Sequence, residues 1–244
     1  MKFKLILTLA LTATAAFAAE PAGEYTRTIF FDDFSGTGFG PRWGHYKSGS
    51  VVKDGILIGI TPDGSDHSAV DNIKFPGERD LEVAVKFRFV SEKAKSFNVW
   101  FDDKDYKGSH AGHICQASVS PTGVNLSDAK TGGFDLTGGL YDRKKENKLT
   151  DDEKKMLATK AKRFPTTISL QDWHTLVVRT KGNELSVLID GKPVGVVNRV
   201  PAAGEARSNM HVGGQAVKAA LTKRDQEICD IIGPELKRLG LIFV

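Results

Sequence analysis

Histidines and carboxylates are concentrated in one short stretch, positions 102–113. His110 and His113 lie three residues apart and follow closely on three aspartates. Two imidazoles near carboxylates could bind a divalent metal, or could supply a general base and the group that orients it. A flanking aromatic ring could stack on a sugar. The candidates are His110, His113 and Asp103 for catalysis, and Trp100, Asp102, Asp105 and Tyr106 for substrate binding.

A structural interpretation of the same residues stays open. In it, 102–109 is a polar hairpin loop and His113 begins the next strand, because loops are polar whether or not they carry function. A second pair of carboxylates, Glu78 and Glu82, could act as nucleophile and general acid of a retaining glycosidase. That chemistry needs carboxyl groups about 5–5.5 Å apart, whereas positions four apart on a strand are separated by roughly 13 Å. A strand that begins near Asp80 explains these residues more simply.

The elements that must position these groups are mostly strands. Apolar residues alternate with polar ones from Leu81 to Phe89, which predicts a half-buried strand. Asp54-Gly55 between two short apolar runs predicts a hairpin within 51–58. Many short strands separated by turn residues predict an all-β domain, a sandwich or jelly roll. Further strands are predicted at 29–31, 97–101, 113–119, 173–179, 184–189 and 194–197, and Trp173 is expected to face the core.

Two segments depart from this pattern. Thr150 and Glu153 have the spacing of a capping box, which predicts a helix from about Asp151 to Lys162. This helix lies in an insertion, about 141–163, which contains nine Lys or Arg residues and five Asp or Glu residues. The insertion is either a docking patch for an acidic polysaccharide or partner, or a solvated surface helix. Apolar residues at helical spacing predict a C-terminal helix at about 215–232 that packs against the domain.

The start of the chain has the pattern of a secretory signal peptide. Two lysines precede an apolar stretch, and the small residues Ala16 and Ala18 flank a cleavage site. We therefore predict a signal peptide at 1–18, a single domain at 19–244, and a periplasmic or secreted protein. No later apolar run approaches the roughly 20 residues of a membrane-spanning helix.

Net charge bears on whether the protein binds nucleic acid, and cysteine content bears on whether it contains a disulfide. The net charge of +4 falls to +2 without Lys2 and Lys4, which argues against a general nucleic-acid binder. An oxidising compartment would permit a disulfide between Cys115 and Cys229. Such a bond needs Cα atoms about 4.4–6.8 Å apart, so bridged and reduced cysteines both stay open.

An ordered set of segments resembles the 3-keto-disaccharide hydrolase family, which was long known only as a domain of unknown function. The set covers roughly residues 28–198. The matching segments are 31–36, 42–43, 52–57, 80–83, 101–105, 107–115, 128–132 and 172–195.

This resemblance implies a concanavalin A-like jelly-roll sandwich with the basic helical insertion and the C-terminal helix added. It implies an exported, carbohydrate-active enzyme that cleaves 3-keto-glycosides or related glycosidic bonds, with its site near His110 and His113. A 3-keto group acidifies the neighbouring C2 hydrogen, so a positioned base can trigger β-elimination. A non-catalytic carbohydrate-binding module and a structural envelope protein are the alternatives. The family's closing strand is not evident in the sequence.

Overall fold

The structure, a computed structural model, describes residues 25–90, 94–197 and 207–213. The predicted signal peptide at 1–18 and the predicted helix at 215–232 lie outside these ranges, as does Cys229. Cys115 is fully buried.

The described residues form thirteen strands, two α-helices and two short 3₁₀ turns. The turns are His110–Gly112 and Thr137–Gly139. The helices are α1 (Leu140–Lys145) and α2 (Asp151–Ala158). The strands are β1 (Trp43–Tyr46), β2 (Val51–Lys53), β3 (Ile56–Ile58), β4 (Val70–Glu78), β5 (Leu81–Phe87), β6 (Phe97–Asp102), β7 (His113–Ser120), β8 (Gly123–Asp128), β9 (Ala161–Pro165), β10 (His174–Lys181), β11 (Glu184–Ile189), β12 (Lys192–Val197) and β13 (Arg207–Gly213).

Two antiparallel sheets form a sandwich. The large sheet has the order β1-β4-β13-β6-β7-β8-β9, and the small sheet has the order β12-β11-β10-β5. The closing strand that the sequence did not reveal is β13, which pairs with both β4 and β6. The hairpin of β2 and β3 stands apart as a two-stranded sheet.

The core lies between the two sheets because each strand turns its apolar residues inward. Val99, Ala117 and Leu126 on the large sheet are fully buried, and so are Leu176 and Leu185 on the small sheet. These residues belong to one continuous apolar cluster. Each large apolar side chain buried in this way stabilises the fold by roughly 1.5–3 kcal/mol. The all-β sandwich predicted from alternation is therefore confirmed.

The predicted hairpin at 51–58 is also confirmed. Asp54 and Gly55 have φ values of 53° and 73°. Two consecutive positive φ values are typical of the two-residue hairpin turns whose twist matches that of the flanking strands.

Three local predictions were wrong. Residues 29–31 form no strand, although the first two of them pack against the core. The predicted helix to Lys162 ends at Ala158, because the chain then enters β9, which pairs with β8. Trp173 was expected in the core but is 40% exposed, with the Arg88 guanidinium 4.9 Å from its ring centre.

Candidate functional site

Asp102 and His113 form the centre of the predicted site. They face each other across β6 and β7, where the pairing register shifts between Phe101 and Asp102. Nδ1 of His113 lies 2.7 Å from Oδ1 of Asp102, whose side chain is fully buried. A carboxylate at Nδ1 favours the tautomer that carries its proton there, which places the lone pair of the ring on Nε2. This is the arrangement of a base and its orienting partner.

A tight turn places His110 beside this pair. The Gly112 N–H donates to Ser109 O over 3.1 Å, and the Asp103 N–H donates to Gly112 O over 2.8 Å. The Ser109 hydroxyl also donates to His113 O over 2.8 Å. As a result the ring centres of His110 and His113 lie 6.1 Å apart.

Aromatic rings pack against the two imidazoles, and His110 stays exposed to solvent. Trp100 lies 4.4 Å from His113, and Tyr141 stacks on His110 at 4.4 Å between ring centres. Phe134 packs edge-on against His113 at 5.0 Å. We call the six residues Trp100, Asp102, His110, His113, Phe134 and Tyr141 the imidazole cluster.

The sequence did not point to Phe134 or Tyr141. A backbone hydrogen bond between residues far apart in the sequence brings them to the site. The His110 N–H donates to Phe134 O over 2.8 Å. Tyr141 marks the start of the basic insertion, so that insertion covers the cluster rather than standing apart from it. Tyr141 was predicted at the start of the basic insertion, but nothing in the sequence indicated that it lies near His110.

The environment disfavours the charged form of His110. Burial lowers the pKa of His110 below its ordinary value, and the nearby His113 lowers it further. A neutral imidazole can accept or donate one hydrogen bond at neutral pH and can stack on an aromatic ring.

Three predicted residues lie outside the cluster. Asp103 Oδ1 accepts the Asp105 N–H over 3.0 Å, which closes a turn on the protein surface. Tyr106 packs against the core, with Lys130 Nζ 4.2 Å from its ring centre. Within the described ranges, no group of three or more His, Cys, Asp or Glu side chains is placed to hold a metal ion.

A row of polar side chains on the outer face of the large sheet was not predicted. Cross-strand pairing places Asn98 beside Ser118, Ser118 beside Asn125, and Asn125 beside Arg163. Their chain neighbours Val99 and Leu126 face the core, as strand alternation requires. The row and Trp100 line a depression of about 360 Å³. We call it the polar depression; Trp100 joins it to the imidazole cluster.

The depression is basic and contains an unsatisfied acceptor. Among the residues that the structure describes, the charged ones that line it are Lys95 and Arg163, and no carboxylate is found there. Arg163 is anchored by hydrogen bonds to Thr122, 2.8 Å to the hydroxyl and 3.1 Å to the carbonyl. Within the described part of the chain, Oδ1 of Asn98 is buried without a hydrogen-bond partner.

The paired-carboxylate hypothesis for Glu78 and Glu82 was wrong. Glu78 ends β4 in the large sheet, whereas Glu82 lies on β5 in the small sheet. Glu78 pairs with Arg27, and Glu82 accepts from Nε of Arg179 over 2.6 Å. The two carboxylates serve separate ion pairs.

Solved structures share the fold of this chain. The laminarinase from Rhodothermus marinus is 11% identical, with a TM-score of 0.52 over 76% of this chain and 85% of that one. The non-specific endo-β-1,3(4)-glucanase SCLam is also 11% identical, with a TM-score of 0.51 over 78% of this chain and 81% of that one. Both act on carbohydrate by name. At this identity the likeness shows the fold alone, and it confirms the predicted concanavalin A-like jelly roll.

The sequence matches are to a different kind of protein from these structural neighbours. Residues 145–244 match the family model of the prokaryotic glutathione synthetase ATP-grasp domain. The glutathione synthetase of Mesorhizobium japonicum is 58% identical over 64 residues, which are 26% of this chain and 20% of the relative. That of Thermosynechococcus vestitus is 37% identical over 89 residues, 36% of this chain and 27% of the relative. The chain thus spans about a fifth to a quarter of the length of these curated relatives.

These matches overturn the predicted family. The resemblance to 3-keto-disaccharide hydrolases was wrong, and so was the function drawn from it, an exported protein that cleaves 3-keto-glycosides. The physical reason is that the quoted segments are strand and turn patterns, which many sandwiches share.

No helix in the described ranges is long and apolar enough to cross a membrane. The periplasmic or secreted location and the lack of a nucleic-acid partner stay predictions.

Proposed function

We propose that this chain takes part in an ATP-dependent ligation of the glutathione synthetase kind. The observation that carries the proposal is the 58% identity over 64 residues to a glutathione synthetase, together with the ATP-grasp match over 145–244. The described part of this range is not a separate unit. Its strands β9 to β12 pair within the two sheets, and Leu176 and Leu185 lie in the shared core.

A nucleotide would reach the described residues of the matched range from the surface of the sandwich. The polar depression is the surface that suits it, because Arg163 lies in the matched range and lines the depression. A triphosphate is bound through cations and hydrogen-bond donors. Arg163 and Lys95 supply the charge, and an arginine can bind two phosphate oxygens at once.

The base of the nucleotide has a partner at the other end of the depression. Trp100 offers an aromatic surface on which a purine can stack. Between Trp100 and Arg163, the side chains of Gln116 on β7 and Asn125 on β8 could hydrogen-bond to the ribose hydroxyls or to the exocyclic amine of adenine. Strands lie about 4.8 Å apart, so the four-strand row from Asn98 to Arg163 spans roughly 14 Å, the scale of a nucleotide.

Calorimetric titration of the full chain with ATP tests this proposal. Binding should weaken about tenfold in Arg163→Gln, because a charge-assisted hydrogen bond to phosphate contributes about 1.5–3 kcal/mol. Lys162→Gln is the matched control. Lys162 precedes Arg163 on the same edge strand and alternates to the other face, where its Nζ lies 5.0 Å from the Phe164 ring centre. Equal affinities in the two variants, or no ATP binding at millimolar concentration, would refute the site.

The reaction itself needs a separate assay. Glutathione formation would be followed by chromatography with ATP, γ-glutamylcysteine and glycine supplied to the full chain. Because the chain spans 20% of the Mesorhizobium japonicum relative, product is expected only when the remaining portion of a synthetase is added as a second polypeptide. If the completed mixture forms no glutathione above the level of that polypeptide alone, the ligation proposal fails even where ATP binds.

A neutral saccharide is a second candidate ligand for the same depression. The side-chain amides of Gln116 and Asn125, which line the depression, favour a hydroxyl-rich ligand. The names of the structural neighbours agree with this ligand class. Titration with laminari-oligosaccharides separates the candidates. Saccharide binding that Arg163→Gln leaves intact, without ATP binding, would favour the saccharide over the nucleotide.

A further inference from the structure

Ser169, His174 and Asp190 form a hydrogen-bonded chain away from the polar depression. Ser169 Oγ lies 3.0 Å from Nε2 of His174. Nδ1 of the same imidazole lies 2.7 Å from Oδ2 of Asp190. In this order a carboxylate orients an imidazole whose second nitrogen faces a hydroxyl, which is the geometry that activates a serine nucleophile.

The fold fixes the carboxylate. Asp190 occupies the turn between β11 and β12, and its Oδ1 accepts the Thr175 N–H over 2.8 Å. The Asp190 N–H donates in return to Thr175 O over 2.9 Å. Desolvation raises the pKa of Asp190, but the hydrogen bonds from His174 and Thr175 outweigh it, so the net pKa lies below the ordinary value. The carboxylate is therefore charged at neutral pH and holds a proton on Nδ1.

A strained loop fixes the serine. Between Ser169 and His174, Gln171 has a φ of 69°, which is unusual for a residue other than glycine. Its N–H donates to Phe89 O over 2.9 Å, and its side-chain amide donates to Val90 O over 2.7 Å. Strain of this kind persists where surrounding contacts impose it, and it is common at functional sites.

The serine of this group is exposed to solvent, and the imidazole is mostly buried. Ser169 is exposed, whereas the His174 side chain is 12% exposed and packs against Phe87 at 5.9 Å between ring centres. The imidazole is thus held by the fold while the hydroxyl stays accessible. Nε2 of His174 also lies 3.2 Å from the carbonyl oxygen of Ser169, which can accept a hydrogen bond when the ring is protonated.

We propose that Ser169, His174 and Asp190 form a hydrolytic site for small carboxylic esters. Ser169 is the nucleophile, His174 the general base and then the general acid, and Asp190 the group that orients the imidazole. The serine is exposed, so the substrate is a short-chain ester that can approach from solvent.

The reaction has two halves. Ser169 Oγ forms a bond to the ester carbonyl carbon while its proton moves to Nε2 of His174. The bond from carbon to the alcohol oxygen then breaks, and His174 returns the proton to the departing alcohol. Water attacks the acyl carbon while His174 takes its proton, the bond from that carbon to Oγ breaks, His174 returns the proton to Oγ, and a carboxylic acid leaves.

Hydrolysis of p-nitrophenyl acetate by the full chain tests the site. Ser169→Ala and Asp190→Asn should each lower the initial rate at least about tenfold. Asparagine tolerates the positive φ of 51° at position 190, so the second variant removes the charge and retains the turn. Ser65→Ala is the matched control, because Ser65 is another loop serine near a histidine, and its Oγ donates to His67 O over 2.7 Å.

Covalent labelling separates catalysis from a purely structural role. A fluorophosphonate probe should label Ser169, as read by peptide mass spectrometry, and Asp190→Asn should reduce the labelling while thermal unfolding shows an intact fold. The proposal is overturned if Ser169→Ala hydrolyses the ester at the wild-type rate, or if the probe does not label Ser169.

Discussion

Asp102 carries a carboxylate that is fully buried, yet it lies 2.7 Å from Nδ1 of His113, which retains 13% of its side-chain exposure. Lys104 Nζ adds a weaker contact at 3.7 Å from the same carboxylate. A buried charge is costly unless it is paired. The buried Asp102 carboxylate therefore depends on its contact with His113, and that contact in turn fixes the position of the His113 ring.

Replacement of Asp102 by alanine should therefore destabilise the protein strongly. The change removes the buried carboxylate that Nδ1 of His113 contacts, and the loss of one partner of a buried hydrogen bond costs about 1–3 kcal/mol. Urea unfolding measured through the change in midpoint would report it. Asp105→Ala is the control, because Asp105 is exposed on the adjoining turn, and its midpoint should match that of the wild type. Equal midpoints for both variants would mean that the pair contributes nothing.

Two glycines with the same backbone conformation should respond differently to alanine. Gly112 and Gly55 have φ values of 74° and 73°, so each substitution carries a conformational cost of about 1–2 kcal/mol. A Cβ on Gly112 would lie 2.1 Å from Asp103 O, whereas a Cβ on Gly55 meets nothing within 4 Å. Gly112→Ala should thus lower the urea midpoint further than Gly55→Ala and displace the turn that holds His110.

That difference can be measured directly. The two variants share the strain of the left-handed conformation, so the gap between their unfolding free energies reports the steric overlap alone. Equal losses in the two variants would show that the backbone near Asp103 moves aside without cost.

The sequence predicted the sheets better than the surfaces. Alternation at Leu81 to Phe87 and the Asp54-Gly55 turn are local signals, and both were confirmed. The approach of Phe134 to His110 depends on a backbone bond between residues 24 positions apart, and β13 fills a gap in the sheet from far along the chain. Such contacts are set by tertiary packing, which no local pattern records.

The same limit applies to the candidate site. Asp102, His110, His113 and Trp100 were predicted as site residues, and they do come together. The row from Asn98 to Arg163 was missed, because its members come from four strands and each of them alone looks like an ordinary outward-facing residue.

The helix of the basic insertion should weaken in acid. The hydrogen bond from Arg143 lowers the pKa of Glu153 from 4.5 to about 2, and the N–H of Thr150 contributes through the capping box. A carboxylate with a depressed folded pKa stabilises the fold above its unfolded pKa, and this contribution is lost as the pH falls from about 4.5 towards 2.

Comparison of thermal midpoints for wild type and Glu153→Gln across pH 2–7 would check this. The wild type should be the more stable at neutral pH, and the gap should close on acidification. Glu146→Gln is the control, because Glu146 forms only an exposed pair with Lys148 at 2.8 Å. A gap that is constant with pH would contradict the assignment.

Asn98 should lower the stability of the fold. Its Oδ1 is buried without a partner within the described residues, and an unsatisfied buried acceptor costs about 1–3 kcal/mol. Asn98→Val should therefore raise the urea midpoint. Asn125→Val controls for the preference of valine for strands, because Asn125 lines the same depression on β8. A larger stability gain in Asn98→Val than in Asn125→Val is expected, and the reverse order would mean that the orphan acceptor carries no cost.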